Sequence, residues 1–218
     1  FYWKVMDTSS LSRKEREKLQ RKKEILAAAT NLFARKGYRE TTLEDIAAEA
    51  EFGTGTLYNY FASKEDIFKS ILKQQFEEGI ERISEYEATT GTFKEFMLEY
   101  VSGQFNYLQQ NMNGIKLVIA FYTSMYDHPI SKNDPELTAL QNRHDQIMNR
   151  RIEKGINDKE IKAYSPDMIR RYLDGFLFPY FAQLLIEEKE SIPNPKAHID
   201  FIMDVLMGGI QYDKPEKQ

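Results

Sequence analysis

Apolar residues along this chain recur at three- and four-residue intervals from residue 25 almost to the end, the spacing of one helix face. Ile25, Ala28, Ala29, Leu32 and Phe33 form the first stripe, and Gly37, directly after Arg35 and Lys36, is placed to stop it. Thr41 and Thr42 precede a short stripe of Leu43, Ile46, Ala47 and Ala50, with Glu44 and Asp45 in the first turn, where acids suit the helix dipole. After Gly53 and Gly55 the pattern resumes at Leu57 and Phe61. Ser63, with Asp66 three residues on, opens a helix through Ile67, Phe68, Ile71, Leu72 and Phe76 towards residue 86. Segment 92–111 is apolar on two sides, since 93, 96, 97, 100 and 107 are matched by 98, 101, 105 and 108, which marks a central helix. Asp134-Pro135, Ser165-Pro166 and Asn194-Pro195 each pair an N-cap residue with proline at the first helical position. Residues 155–159 and 192–195 are the turns before the last two helices. No alternating run of β-branched residues marks a strand. The pattern predicts an all-α chain of about nine helices.

Composition narrows the function classes. The 218 residues are 41% hydrophobic, enough for one or two cores without disulfide or metal staples. The absence of cysteine removes disulfides, thiol catalysis and cysteine-ligated zinc. The longest apolar runs, 117–122 and 176–182, fall far short of the roughly 18–20 residues that span a bilayer, so the chain is not read as a membrane protein, and the absence of cysteine allows a cytoplasmic location without demanding it. The first residues lack a signal peptide's apolar stretch, and Met6 is a candidate start that leaves residues 1–5 foreign to the natural chain. The net charge of −4 is an average over unlike halves. Residues 1–75 carry 14 Lys and Arg against 11 Asp and Glu, whereas residues 76–218 carry 16 against 23. A basic head on an acidic body suggests a division of labour. Residues 1–20 are read as a flexible basic arm, 21–66 as one domain and 67–218 as another.

Residues 42–61 have the size and punctuation of a helix-turn-helix: two helices of about eight residues around a turn of about three. Ile46, Ala47 and Ala50 permit close crossing, Gly53 suits the turn, and Leu57 and Phe61 anchor the second helix. Thr54, Thr56, Tyr58, Asn59 and Tyr60 fall on its other face. The segments TTLEDIAAEA (41–50), GTLYNYF (55–61) and SKED (63–66), after the 25–37 helix, resemble the tetracycline-repressor (TetR) family of transcriptional regulators. That resemblance implies an N-terminal three-helix DNA-binding domain and a C-terminal helical domain for ligand binding and dimerisation. Thr42 would bond phosphate at a helix start and Lys64 would hold phosphate on the far side. Thr54, Gly55, Thr56, Tyr58, Asn59 and Tyr60 would lie in or beside the major groove, with Asn59 the candidate for bidentate adenine recognition. The family commonly places Gly-Val-Ser before the recognition helix, where this chain has Glu51-Phe52-Gly53.

The acidic remainder is rich in aromatic residues interleaved with polar groups, the composition of an apolar cavity with a few anchors. The resemblance implies an effector pocket there, with Tyr100, Gln104, Phe121, Met125, His144, Met148, Tyr172 and Phe176 as candidates. Segments 165–188 and 197–211 carry more apolar surface than one stripe uses. In the family two such helices per subunit form a homodimer's four-helix bundle, here through Leu173, Leu177, Phe181, Leu184, Ile202 and Leu206. Pro179 is expected to kink the first of them. Competing chemistry fails: Gly53-Thr54-Gly55-Thr56 lacks the rest of a phosphate loop, and His128, His144 and His198 have no ligand spacing, so no metal or cofactor is expected. No nucleophile stands out, and the chain is not read as an enzyme. The expectation is a ligand-responsive, homodimeric repressor released from a palindromic DNA operator by a small apolar or aromatic molecule. The alternative is an all-α carrier of apolar molecules that no longer reads DNA.

Overall fold

A computed structural model describes residues 12–123, 134–187 and 192–211. Eight helices make up the described residues: α1 (Arg13–Lys36), α2 (Leu43–Glu49), α3 (Thr54–Tyr58), α4 (Lys64–Thr89), α5 (Phe93–Thr123), α6 (Pro135–Asn157), α7 (Pro166–Glu187) and α8 (Pro195–Ile210). No strand occurs among them, only one antiparallel bridge between Ile161 and Gln211. No described helix is long and apolar enough to cross a membrane. The expected count of nine becomes eight because α5 runs on past residue 111. Asn111 nevertheless breaks its geometry (φ −133°, ψ 33°), where the sequence pattern places a helix end.

The helix boundaries follow local chemistry. Ser12 and Glu15 form a reciprocal capping box that starts α1 at Arg13, so residues 13–20 are helix rather than the flexible arm expected. Gly37, at φ +85°, ends α1 with its N–H on the Phe33 carbonyl. Prolines 135, 166 and 195 each begin a helix, as their N-cap pairs predict. Helix α7 continues through Pro179 to Glu187.

The chain divides into two compact units. The first holds residues up to Gln75 together with 113–134, the second holds 76–112 and 135–218. This differs from the boundary expected at 66/67, because the division falls inside α4 and a later segment joins the first unit. In the first unit, Ile25, Ala29, Leu32, Phe33, Ile46, Leu57, Phe61, Ile67, Phe68 and Leu72 are buried. Phe33, Tyr38 and Phe68 pack ring to ring at 5.3–5.6 Å. In the second unit, Phe93, Phe96, Met97, Val101 and Phe105 of α5 are fully buried. There the Glu160 carboxylate accepts the Phe93 N–H, and Thr92 and Glu95 form a further capping box at the start of α5.

Candidate nucleic-acid interface

Thr42 caps α2 in both directions: its Oγ1 accepts the Asp45 N–H (3.1 Å), and its own N–H donates to Asp45 Oδ2 (2.9 Å). Lys36 also donates to Asp45, and these hydrogen bonds hold that carboxyl down at about 2. The Thr42 hydroxyl proton is left to donate outward, which suits a phosphate at this exposed helix start. Helix α2 ends in a Schellman motif. The Phe52 N–H bonds the Ala47 carbonyl, the Glu51 N–H bonds the Ala48 carbonyl, and Glu51 takes the left-handed conformation at φ 58°. The turn expected of Gly53 is therefore made by Glu51, and Gly53 is an extended N-cap for α3 (φ −71°, ψ 145°). A left-handed residue other than glycine costs roughly 1–2 kcal/mol. Glu51→Gly is therefore expected to raise stability by about 1 kcal/mol in chemical denaturation. It also removes a carboxylate from the turn before α3, so in the DNA-binding reading duplex affinity is expected to rise rather than fall.

Helix α3 is five residues long, shorter than expected, with Asn59 at its C-cap (φ −71°, ψ −14°). Leu57 is fully buried and Phe61 nearly so, while Tyr58 is 54% exposed and Gly55 and Asn59 are exposed. A side chain at Gly55 would meet nothing within 4 Å, so another backbone can approach there closely. Thr54, Thr56 and Tyr60 are half-buried. Lys64 departs from its expected role. Its ammonium donates to the carbonyls of Tyr38 (2.8 Å), Thr41 (2.8 Å) and Arg39 (3.2 Å) and lies 4.4 Å from the Tyr38 ring centre. All three donors are committed to the loop before α2, leaving none for phosphate.

Residues 25–71 match the family model for bacterial regulatory proteins of the tetR family. That segment carries the chain's similarity to the TetR family of transcriptional regulators. The chain is 26% identical over 153 residues to the HTH-type transcriptional regulator YfiR of Bacillus subtilis (strain 168), covering 67% of this chain and 71% of that one. It is 34% identical over 90 residues to the Fatty acid metabolism regulator protein of the same organism, covering 41% of this chain and 46% of that one. The solved structure of FadR from Bacillus subtilis in complex with stearoyl-CoA shares the fold at a TM-score of 0.72 and 23% identity, covering 86% of this chain and 98% of that one.

In the second unit, the candidate effector residues separate into two groups. Tyr100, Gln104 and His144 come together: the Tyr100 hydroxyl lies 3.4 Å from His144 Nε2 and hydrogen bonds Gln104. Burial pushes the Tyr100 phenol well above its ordinary range, so it stays a neutral donor. Phe96 stacks on Tyr100 at 6.3 Å, and Met148 is buried. Arg151, also buried, lays its guanidinium 5.0 Å from the Phe96 ring centre and donates to the Thr92 carbonyl (2.8 Å). Sequence reasoning missed Arg151, because a buried arginine and a surface arginine look alike on a helical stripe. Tyr172 and Phe176 instead belong to the α7–α8 pair, which corrects their assignment to the pocket. The Tyr172 hydroxyl donates to the Val205 carbonyl (3.1 Å), and Phe176 meets Phe201 at 6.4 Å. Gly209 makes the first contact feasible, since a Cβ there would come within 2.9 Å of the Tyr172 hydroxyl. Phe121 lies in the first unit, and Met125 falls outside the described residues.

The candidate dimer residues need the same correction. Leu173, Leu177, Leu184, Ile202 and Leu206 are all buried within a single chain, and Phe181 packs edge-on to Phe105 at 5.0 Å. They are core. The apolar surface left over on α7 and α8 is a second stripe, formed by Met168, Tyr172, Ile186, Phe201 and Val205. Among the described residues no group of histidines and carboxylates is placed to hold a metal ion.

Proposed function

We propose that this TetR-family regulator binds duplex DNA as a homodimer, acts as a cytoplasmic repressor on a palindromic operator, and is released by a small apolar effector. The observation that carries the DNA reading is the contrast within residues 54–61. Leu57 and Phe61 sink into the core, while Tyr58 and Asn59 beside them stand in solvent with no core to serve. Thr42 presents a donor at the start of α2, and α3 offers Thr54, Gly55, Thr56 and the flanking Tyr60 beside the same groove-facing surface. The second apolar stripe on α7 and α8 supports the homodimer, since large exposed apolar residues gathered on two helices mark a contact surface. The effector would be anchored by Tyr100, Gln104 and His144, three polar groups set against the buried Phe96 and Met148. The likeness to FadR with stearoyl-CoA supports a long acyl chain as the apolar part.

The test combines DNA and effector. Fluorescence anisotropy with the duplex upstream of the protein's own gene should give binding that weakens steeply between 50 and 200 mM salt. Stearoyl-CoA or a shorter acyl-CoA should then release the duplex and raise the thermal midpoint of the free protein. Tyr100→Phe should weaken that release while leaving DNA binding in its absence unchanged. Acyl-CoA binding without any duplex binding near 50 mM salt would favour the carrier reading instead.

A further inference from the structure

The amino-terminal half of α1 stands largely in solvent, with only Leu19 and Lys23 half-buried. Residues 13–24 carry no buried side chain, and burial begins abruptly at Ile25. From there the core-facing stripe runs Ile25, Ala28, Leu32. Continued towards the start of the helix at the same alternating steps of three and four residues, that stripe passes through Arg21, Lys18 and Lys14. The face that is hydrophobic where it meets the core is therefore cationic where it overhangs it. The acids of the segment are engaged elsewhere. Glu15 accepts from Ser12, Glu17 pairs with Arg13 at 2.8 Å, and Glu24 accepts from Gln20. Among the described residues Lys14, Lys18 and Arg21 form no ion pair. The neighbouring Lys22 lays its ammonium 5.5 Å from the ring centre of Phe61, the residue that closes the segment around α3. The cationic row thus starts beside the end of that segment and runs about 10 Å away from it, at 1.5 Å per residue.

We propose that the first three turns of α1 are a second DNA-contacting surface, in which Lys14, Lys18 and Arg21 neutralise phosphates flanking the stretch read by α3. The inference rests on the reading that the chain binds duplex DNA. Duplex DNA is the partner that fits, because a row of exposed cations in helical register, with its acids turned aside, matches a line of phosphates. The contact would carry affinity and salt dependence rather than sequence information.

The experiment compares the full chain with the triple variant Lys14→Gln, Lys18→Gln, Arg21→Gln, which preserves helix propensity. The control is Lys94→Gln, Arg143→Gln, Lys162→Gln, with the same net charge. The probes are two duplexes recovered by in vitro selection with the wild-type chain, one with long flanks and one trimmed close to the recognised sequence. On the long duplex the triple variant should lower the slope of log affinity against log salt by about 2 to 3 per subunit and weaken binding about tenfold or more at 150 mM salt. The control should lose little, and trimming the flanks should weaken wild type while leaving the variant nearly unchanged. Equal slopes for variant and wild type, or an equal loss in the control, would overturn the inference while leaving the DNA reading intact. Failure of the wild type to bind any duplex near 50 mM salt would overturn both. Circular dichroism of the variant at unchanged helix content ties a lost slope to lost charge.

Discussion

Replacing Phe201 and Val205 together by glutamate is expected to convert the proposed homodimer into a folded monomer and to weaken duplex binding by about a hundredfold or more. Both side chains are substantially exposed in the single chain, so carboxylates there stay hydrated in the monomer. In a two-fold dimer each would be desolvated against an apolar stripe and set near its own symmetry mate. The intrachain loss is small by comparison, since Phe201 gives up ring contacts with Phe176 and Tyr180 at 6.0–6.4 Å, worth about 1 kcal/mol each. Light scattering should report the monomer and circular dichroism an unchanged helix content. Leu206→Ala should behave in the opposite way. Leu206 is fully buried, so the variant should lose about 2–5 kcal/mol of stability yet remain dimeric below its melting temperature.

Lys64→Met is the second variant with a large expected effect. The ammonium joins three carbonyls of the loop between α1 and α2, a loop that also sets the entry of Thr42 into its capping box. Charge-assisted hydrogen bonds are worth about 1.5–3 kcal/mol, and the variant should lose about that much in denaturant titration. Its DNA affinity should fall only through loosening of the loop. The salt slope, which counts phosphates neutralised, should therefore stay within about 0.5 of wild type. A slope reduced by about 1 per subunit, with stability unchanged, would return Lys64 to the phosphate role that the family resemblance implies.

These corrections mark where the sequence stops being informative. Helix boundaries were legible because they are local. Gly37 and the three proline starts act within four residues, and even the break at Asn111 lies where the apolar pattern changes, whereas the equally local box of Ser12 and Glu15 was passed over because the basic composition of residues 1–20 reads as an arm. The helix-turn-helix was legible for the same reason, as a short stripe, a turn and another short stripe. Lys64 was not, because its partners lie 23 to 26 residues away and only the folded loop brings them together. Glu51 was not, because the left-handed turn position is recognised by glycine and this chain places none there. The dimer residues were misassigned because α7 and α8 are apolar on two stripes. Periodicity identifies both stripes but does not say which one the chain's own core takes. Leu173, Leu177 and Leu206 went inward, leaving Met168, Phe201 and Val205 outside. Tyr172 and Phe176 left the pocket candidates for the same reason, and Tyr100 and His144 stayed together because α5 and α6 pair them across the unit.

Residues 42–61 of each subunit are proposed to read duplex DNA in a symmetric pair. In vitro selection from a randomised duplex library with the full chain, followed by footprinting of the recovered sequences, tests this proposal most directly. The expected product is a palindrome whose half-sites are centred about 10 base pairs, or 34–36 Å, apart or a multiple of that, with Tyr58→Ala and Asn59→Ala relaxing preference at particular bases within each half. Recovery of no preferred sequence, or of a single unpaired site indifferent to changes at Tyr58 and Asn59, would contradict it.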